Sequence, residues 1–244
     1  MPVCAQSTMT DSLSLPPRSE TFTDHTHHFK LKEMLIPAAA FGASAAFVGN
    51  GWGLKQRENI QDVLSANGRH KFKWDDYMQY SPMVAAYVLD LTRLEGQHGF
   101  KDKTIILAMS YATMGILVNA MKFSVKERRP DSHARNSFPS GHTATVFMGA
   151  EFLYREYKDV SPWIGYAGYA VAATTGYLRI YNDRHYFNDV IAGACIGILS
   201  TRLSYWLYPK LFKKSRCHTR KDIMAAGLPY CSSEGAGINC RIWF

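Results

Sequence analysis

Between residues 31 and 210 long apolar runs alternate with short polar ones. The apolar runs cover 34–54, 77–89, 104–121, 141–154, 161–178 and 190–208. None shows a useful stretch of two-residue alternation, and most exceed an ordinary strand in length, so the pattern predicts an all-α helical bundle of about six core helices. The first, third and fifth runs are uncharged over about 18 residues or more, close to the length that crosses a bilayer. The second and fourth are short and Arg202 interrupts the sixth, so these three fit either membrane spans or buried bundle helices. Gly and Ala recur within the runs, which suits close helix packing, and a multi-pass membrane protein is expected.

Three segments follow from this pattern. Residues 1–30 are polar and hold His25, His27 and His28 without further metal-ligand partners, as in a solvated arm. Val3-Cys4-Ala5 has the small-residue character of a signal-peptidase site with no apolar region before it, so a signal-peptide remnant at 1–5 and a chance match both stay open. Residues 31–210 form the helical domain, and 211–244 form a basic tail. The net charge of +8 is concentrated around residues 122–135 and in Lys210, Lys213, Lys214, Arg216, Arg220 and Lys221. A basic segment after an apolar helix marks the cytoplasmic end of a span and speaks against nucleic-acid binding. The five cysteines show no metal-ligand spacing; a Cys231–Cys240 disulfide and unpaired thiols both fit.

Two irregular stretches, 122–140 and 179–189, are longer than the other connections. If successive helices run antiparallel, both fall at the same end of the bundle. The first contains Lys122, Arg129-Pro130 and Pro139-Ser140-Gly141-His142; the second contains Arg179, His185 and Asp189. Together they supply what a metal-free phosphoryl-transfer pocket needs. Lys122, Arg129 and Arg179 can neutralise charge spread over three equatorial oxygens. Ser140 suits a helix N-cap, and Gly141 lets an anion approach the backbone amides of a helix start. The four-residue spacing of His185 and Asp189 predicts one helical face, with the carboxylate orienting the imidazole. His142 is then placed to protonate a leaving alkoxide. The polar 51–75 segment is a candidate lid, and Lys126, Arg128, Arg135 and Arg184 are expected on the rim or surface.

Read together, Lys-x6-Arg-Pro, Pro-Ser-Gly-His and Arg-x5-His-x3-Asp resemble the motifs of the type 2 phosphatidic acid phosphatase and vanadium haloperoxidase superfamily, with Leu178 where the family pattern has Ser. The resemblance implies His185 as nucleophile, Asp189 as its orienting partner and His142 as acid. It implies Lys122, Arg129, Ser140, Gly141 and Arg179 as phosphate ligands, with no metal and no cofactor. The expected activity is hydrolysis of a lipid-like phosphate monoester or diphosphate through a phosphohistidine. The expected setting is a bacterial inner membrane, with the site facing the periplasm. A soluble periplasmic acid phosphatase or membrane-peripheral domain, a vanadium-dependent haloperoxidase and a non-enzymatic helical membrane scaffold are the alternatives.

Overall fold

The computed structural model describes residues 32–65, 73–92, 94, 96–130, 134–213, 224–232 and 235–243. The N-terminal arm with its histidines, and Lys214, Arg216, Arg220 and Lys221 of the tail, lie outside the described residues. The described part of 31–210 folds as α1 (Lys32–Gly49), α2 (Gly51–Leu64), α3 (Asp75–Met78), α4 (Ser81–Leu91), α5 (Phe100–Val125), α6 (Gly141–Tyr157), α7 (Pro162–Tyr181) and α8 (Phe187–Tyr208).

The 34–54 run is not one helix. Asn50 is extended (φ −116°, ψ 133°), and α2 leaves α1 at 97°. The interruption falls at Gly49-Asn50-Gly51, where the two glycines weaken helix continuity. The 77–89 run is preceded by the short α3, and Pro82 stands in the first turn of α4, where its missing N–H costs no helical bond.

Helix α6 is the core of the bundle. Ala144, Val146, Met148, Ala150 and Phe152 are buried around its circumference, enclosed by α4, α5, α7 and α8. The closest approach is to α8. A Cβ at Gly193 would lie 2.4 Å from the Ser140 carbonyl oxygen, and one at Gly197 would lie 2.3 Å from that of Ala144. The two glycines are one turn apart, so a strip of bare backbone runs against the first turns of α6.

Among the described residues two helices are long and apolar enough to cross a membrane, Phe100–Val125 and Phe187–Phe212; a third crossing results if the bent α1–α2 pair is one broken span. The 104–121 run thus meets its expectation, whereas 161–178 forms α7 without the required apolarity. Conversely, Arg202 does not disqualify the sixth run. Its Nε donates to Glu151 Oε1 at 2.9 Å, and Glu151 is buried in α6, so the cation is paired inside the bundle as intramembrane charges are. Tyr111, Ile116, Leu117 and Phe123 line the outer side of α5 and are exposed, which suits lipid contact.

The tail departs from the all-α pattern. Met224–Ser232 and Gly235–Trp243 pair as an antiparallel hairpin, although only 238–242 alternates apolar and polar positions. Cys231 stands opposite Ala236 and Cys240 opposite Gly227. The two cysteines are thus four pairs apart along the ladder, roughly 13 Å.

Candidate active site

The C-terminal ends of α5 and α7 and the N-terminal ends of α6 and α8 meet at one end of the bundle, so the two irregular stretches come together. Lys122 stands in the last turn of α5, which ends at Lys126 in left-handed conformation (φ 49°). The loop beyond is held by Arg129 N–H to Ala134 C=O (3.1 Å) and Ser137 N–H to Glu127 C=O (3.0 Å). Ser140 caps α6 with extended backbone, and its Oγ accepts from Thr143 Oγ1 at 2.9 Å rather than bonding the helix amides. Its own N–H donates to the Asp189 carbonyl at 3.0 Å, which stitches the first stretch to the second. Lys122 Nζ lies only 3.7 Å from where a Gly141 Cβ would sit, so the ammonium stands over bare backbone at the start of α6.

The second stretch wraps around one carbonyl. Arg179 C=O accepts from the backbone N–H groups of Arg184 (3.0 Å) and His185 (3.3 Å), with Asp183 at φ 59° making the turn. His185 therefore lies in a turn before α8 and not on its face, contrary to the helical reading of the four-residue spacing. Asp189 is the third residue of α8 and accepts the Tyr186 backbone N–H at 3.1 Å, a capping bond that curls the preceding turn back over it. The pair still meets, by that route. His185 Nδ1 and Asp189 Oδ2 are 3.6 Å apart, longer than a hydrogen bond. Ser137 fills the gap: its hydroxyl donates to Asp189 Oδ2 and lies 3.5 Å from His185 Nδ1. Asn188 Nδ2 holds the other carboxylate oxygen at 3.1 Å.

Lys122 is within electrostatic reach of Arg129, Arg179 and Asp189. Arg179 is buried, its Nη1 donating to Asp75 Oδ2 (2.7 Å) and Asp76 Oδ1 (3.2 Å), while its buried Nε has no hydrogen-bond partner among the described residues. Asp76 Oδ1 is also 3.0 Å from His142 Nε2. Burial, reinforced by the Arg179 charge, pushes the His142 imidazole down to about 4 against the pull of Asp76, so it is neutral at pH 7 and donates Nε2–H to that carboxylate. Burial likewise holds the His185 imidazole below its ordinary value; Asp189 opposes the shift, and Arg179 and Arg129 add to it. All eight residues read from the motifs are thus brought to one end of the bundle.

Several site residues carried no motif. Ser137, Asp75 and Asp76 are among them. Helix α2 lies across the site loops and presents polar side chains inward. Gln61 Nε2 donates to Ile180 C=O and Asp183 Oδ1, both at 2.9 Å, and Arg57 pairs with buried Glu127 while stacking 4.3 Å over the Tyr186 ring. Helices α2 and α3 thus cover this end, while residues 66–72 of the 51–75 segment lie outside the described residues. The only advance signal was its polar character. Lys126, Arg128, Arg135 and Arg184 are exposed. Among the described residues, no group of three or more His, Cys, Asp or Glu side chains is arranged to hold a metal ion.

Residues 103–213 match the PAP2 superfamily. A lipid A 1-phosphatase of Porphyromonas gingivalis is 39% identical over 158 residues, which cover 64% of this chain and 36% of that protein. The bacitracin transport permease protein BcrC of Bacillus licheniformis is 37% identical over 76 residues, 31% of this chain and 36% of that protein. The matches therefore span about a third of the length of these curated relatives. Among solved structures, a transmembrane PAP2 type phosphatidylglycerolphosphate phosphatase from Bacillus subtilis shares the fold, with a TM-score of 0.51 and 18% identity over 72% of this chain and 96% of that one. With its two apolar helices of spanning length, the chain is a membrane protein.

Proposed function

We propose that this chain, whose residues 103–213 match the PAP2 superfamily, hydrolyses a phosphate monoester or diphosphate of a lipid-like substrate through a phosphohistidine on His185, without a metal. The observation that carries the reading is the 3.0 Å bond from Ser140 N–H to Asp189 C=O, because it joins the cationic and imidazole-bearing segments into one pocket. Lys122, Arg129 and Arg179 take the equatorial oxygens, aided by the backbone of Ser140 and Gly141 at the start of α6. His185 turns Nδ1 toward Asp189 and Ser137, which leaves Nε2 as the nucleophile. Its lone pair forms the N–P bond as the ester P–O bond breaks, and the departing oxygen takes the proton that His142 gains as imidazolium once the phosphate anion replaces Asp76 beside it. Water then attacks phosphorus, giving its proton back to His142, and cleavage of the N–P bond frees phosphate and restores neutral His185.

The name of the Porphyromonas gingivalis relative favours a phosphorylated glycolipid, and the exposed Phe123, one residue from Lys122, offers apolar surface beside the site. The catalytic unit in this reading is 31–210. The site faces the periplasm of a bacterial inner membrane in a multi-pass protein: it lies at the N-terminal end of α8, while the basic residues follow its C-terminal end, which the positive-inside rule assigns to the cytoplasm. The test is phosphate release by detergent-solubilised protein, with chelator present, from phosphatidic acid, a lipid A-type phosphosugar and a polyprenyl diphosphate. The wild type should release phosphate from at least one and yield an acid-labile phosphoenzyme on quenching, and His185→Ala should do neither. Turnover by His185→Ala at the wild-type rate defeats the mechanism.

A further inference from the structure

The carboxylate of Asp76 sits where an anion is wanted. One oxygen is 3.0 Å from His142 Nε2 and 3.2 Å from Arg179 Nη1, between the acid and one of the cations assigned to the phosphoryl group. Its neighbour Asp75 also binds Arg179, yet the two differ in freedom. The Asp75 side chain is 3% exposed and cannot leave without abandoning a buried guanidinium, whereas that of Asp76 is 58% exposed and can rotate into solvent. The backbone need not follow, since Gln79 Nε2 holds the Asp76 carbonyl at 2.8 Å. Exposed Trp74 and Tyr77 flank the position, giving an apolar tail somewhere to rest as its phosphate displaces the carboxylate.

Resting on the phosphatase reading, we infer that Asp76 is a specificity-determining residue: its carboxylate holds the seat of the transferred phosphoryl group and must be displaced by every ligand. An anion that brings only its charge gains the difference between two anions in one place, so free phosphate binds weakly. A substrate with an apolar tail adds burial that the carboxylate cannot match. If the seat is vacant in about a tenth of molecules, apparent anion affinity is reduced about tenfold, and removing the competitor restores it.

Asp76→Asn is nearly isosteric at a largely exposed position and leaves the fold intact. Titration of the solubilised protein with inorganic phosphate by calorimetry reads the seat without turnover. Asp76→Asn should tighten phosphate binding about tenfold, and the KM for a soluble aryl phosphate should fall by the same factor. Glu58→Gln, which removes an exposed charge on α2, serves as the reference and should change neither. Unchanged, weakened or undetectable phosphate binding in Asp76→Asn overturns the inference. So does a fall in kcat alone, which makes Asp76 a positioning partner of His142, or equal tightening in Glu58→Gln. A protein that tightens on phosphate as described but hydrolyses no ester supports this inference while removing the phosphatase reading.

Discussion

A methyl group added at Gly193 would lie 2.4 Å from the Ser140 carbonyl oxygen and 3.3 Å from the Ala144 nitrogen. Carbon and carbonyl oxygen tolerate approach to about 3.3 Å, so Gly193→Ala forces α8 away from the start of α6 by about 1 Å. Neither obstructing atom belongs to a side chain that can rotate aside. Overpacking of this kind costs about 1–3 kcal/mol, while the better helix propensity of alanine returns about 1 kcal/mol. The net loss of about 0–2 kcal/mol lowers Tm by only a few degrees. The site suffers more. The Ser140 N–H to Asp189 C=O bond, 3.0 Å in the native protein, stretches to about 4 Å and is lost. Asp189 and His185 then stand about 1 Å from their places relative to Ser140 and His142, a misplacement that costs about 100-fold in rate. Phosphate release and a thermal melt on the same preparation separate the two effects. Gly115→Ala on α5, where a Cβ meets nothing within 4 Å, is the control and should retain the rate, with Tm raised slightly by the better helix propensity of alanine. Wild-type kcat in Gly193→Ala would refute the claim that this backbone contact sets the catalytic geometry.

Other perturbations probe single groups. Ser137→Ala removes a buried hydrogen bond to the Asp189 carboxylate, worth about 1.5–3 kcal/mol, and should lower kcat about tenfold with little change in KM, since it touches the orientation of His185 and not the phosphate cradle; a change confined to KM counts against that role. Arg57→Ala strands Glu127, already held above the ordinary carboxylate range by burial, and should cost about 3–5 kcal/mol in a denaturation assay; replacing both, Arg57→Met with Glu127→Leu, should recover most of it. The His142 imidazole is near 4 in the free protein, and a phosphoryl dianion in place of Asp76 raises it, so the alkaline limb of kcat should lie at higher pH than that of kcat/KM; coincident limbs would contradict this. The depressed value of His185 means that the unfolded chain binds more protons between the native value and about 6.5, so its contribution to stability is complete above about 6.5 and is lost as pH falls through that window; His185→Gln should flatten the acid side of a plot of Tm against pH.

The motifs made the chemistry legible because phosphoryl transfer demands particular groups, and those groups were present at fixed spacings around predictable helix ends. The helices α5 to α8 were readable from apolar runs for the same local reason. What the pattern concealed depends on partners distant in the chain. Arg202 looked like an interruption until Glu151, 51 positions away, supplied its partner. The His185–Asp189 contact has the spacing of a helical pair yet forms through a capped turn, because Asp189 takes the Tyr186 N–H and starts the helix after the histidine. Helix α2 turns its polar side inward, since the loops it covers offer carbonyls and a carboxylate instead of apolar surface, and periodicity of apolar residues does not register such a face.

Electrostatics explains why the cover has to be acidic. Lys122, Arg129 and Arg179 share a partly buried site, where like charges repel more strongly than in water and each has lost part of its hydration. Counterions ease that repulsion, and Asp189 alone offsets one charge of three. Asp75 and Asp76, on a helix of four residues with no motif of its own, supply the remaining two. A cation triad built for phosphate therefore implies carboxylates nearby before any substrate arrives, and at least one must be able to leave. The kind of residue was deducible from the three cations; its position was not, because Asp76 and Arg179 are 103 positions apart and only the fold brings them together.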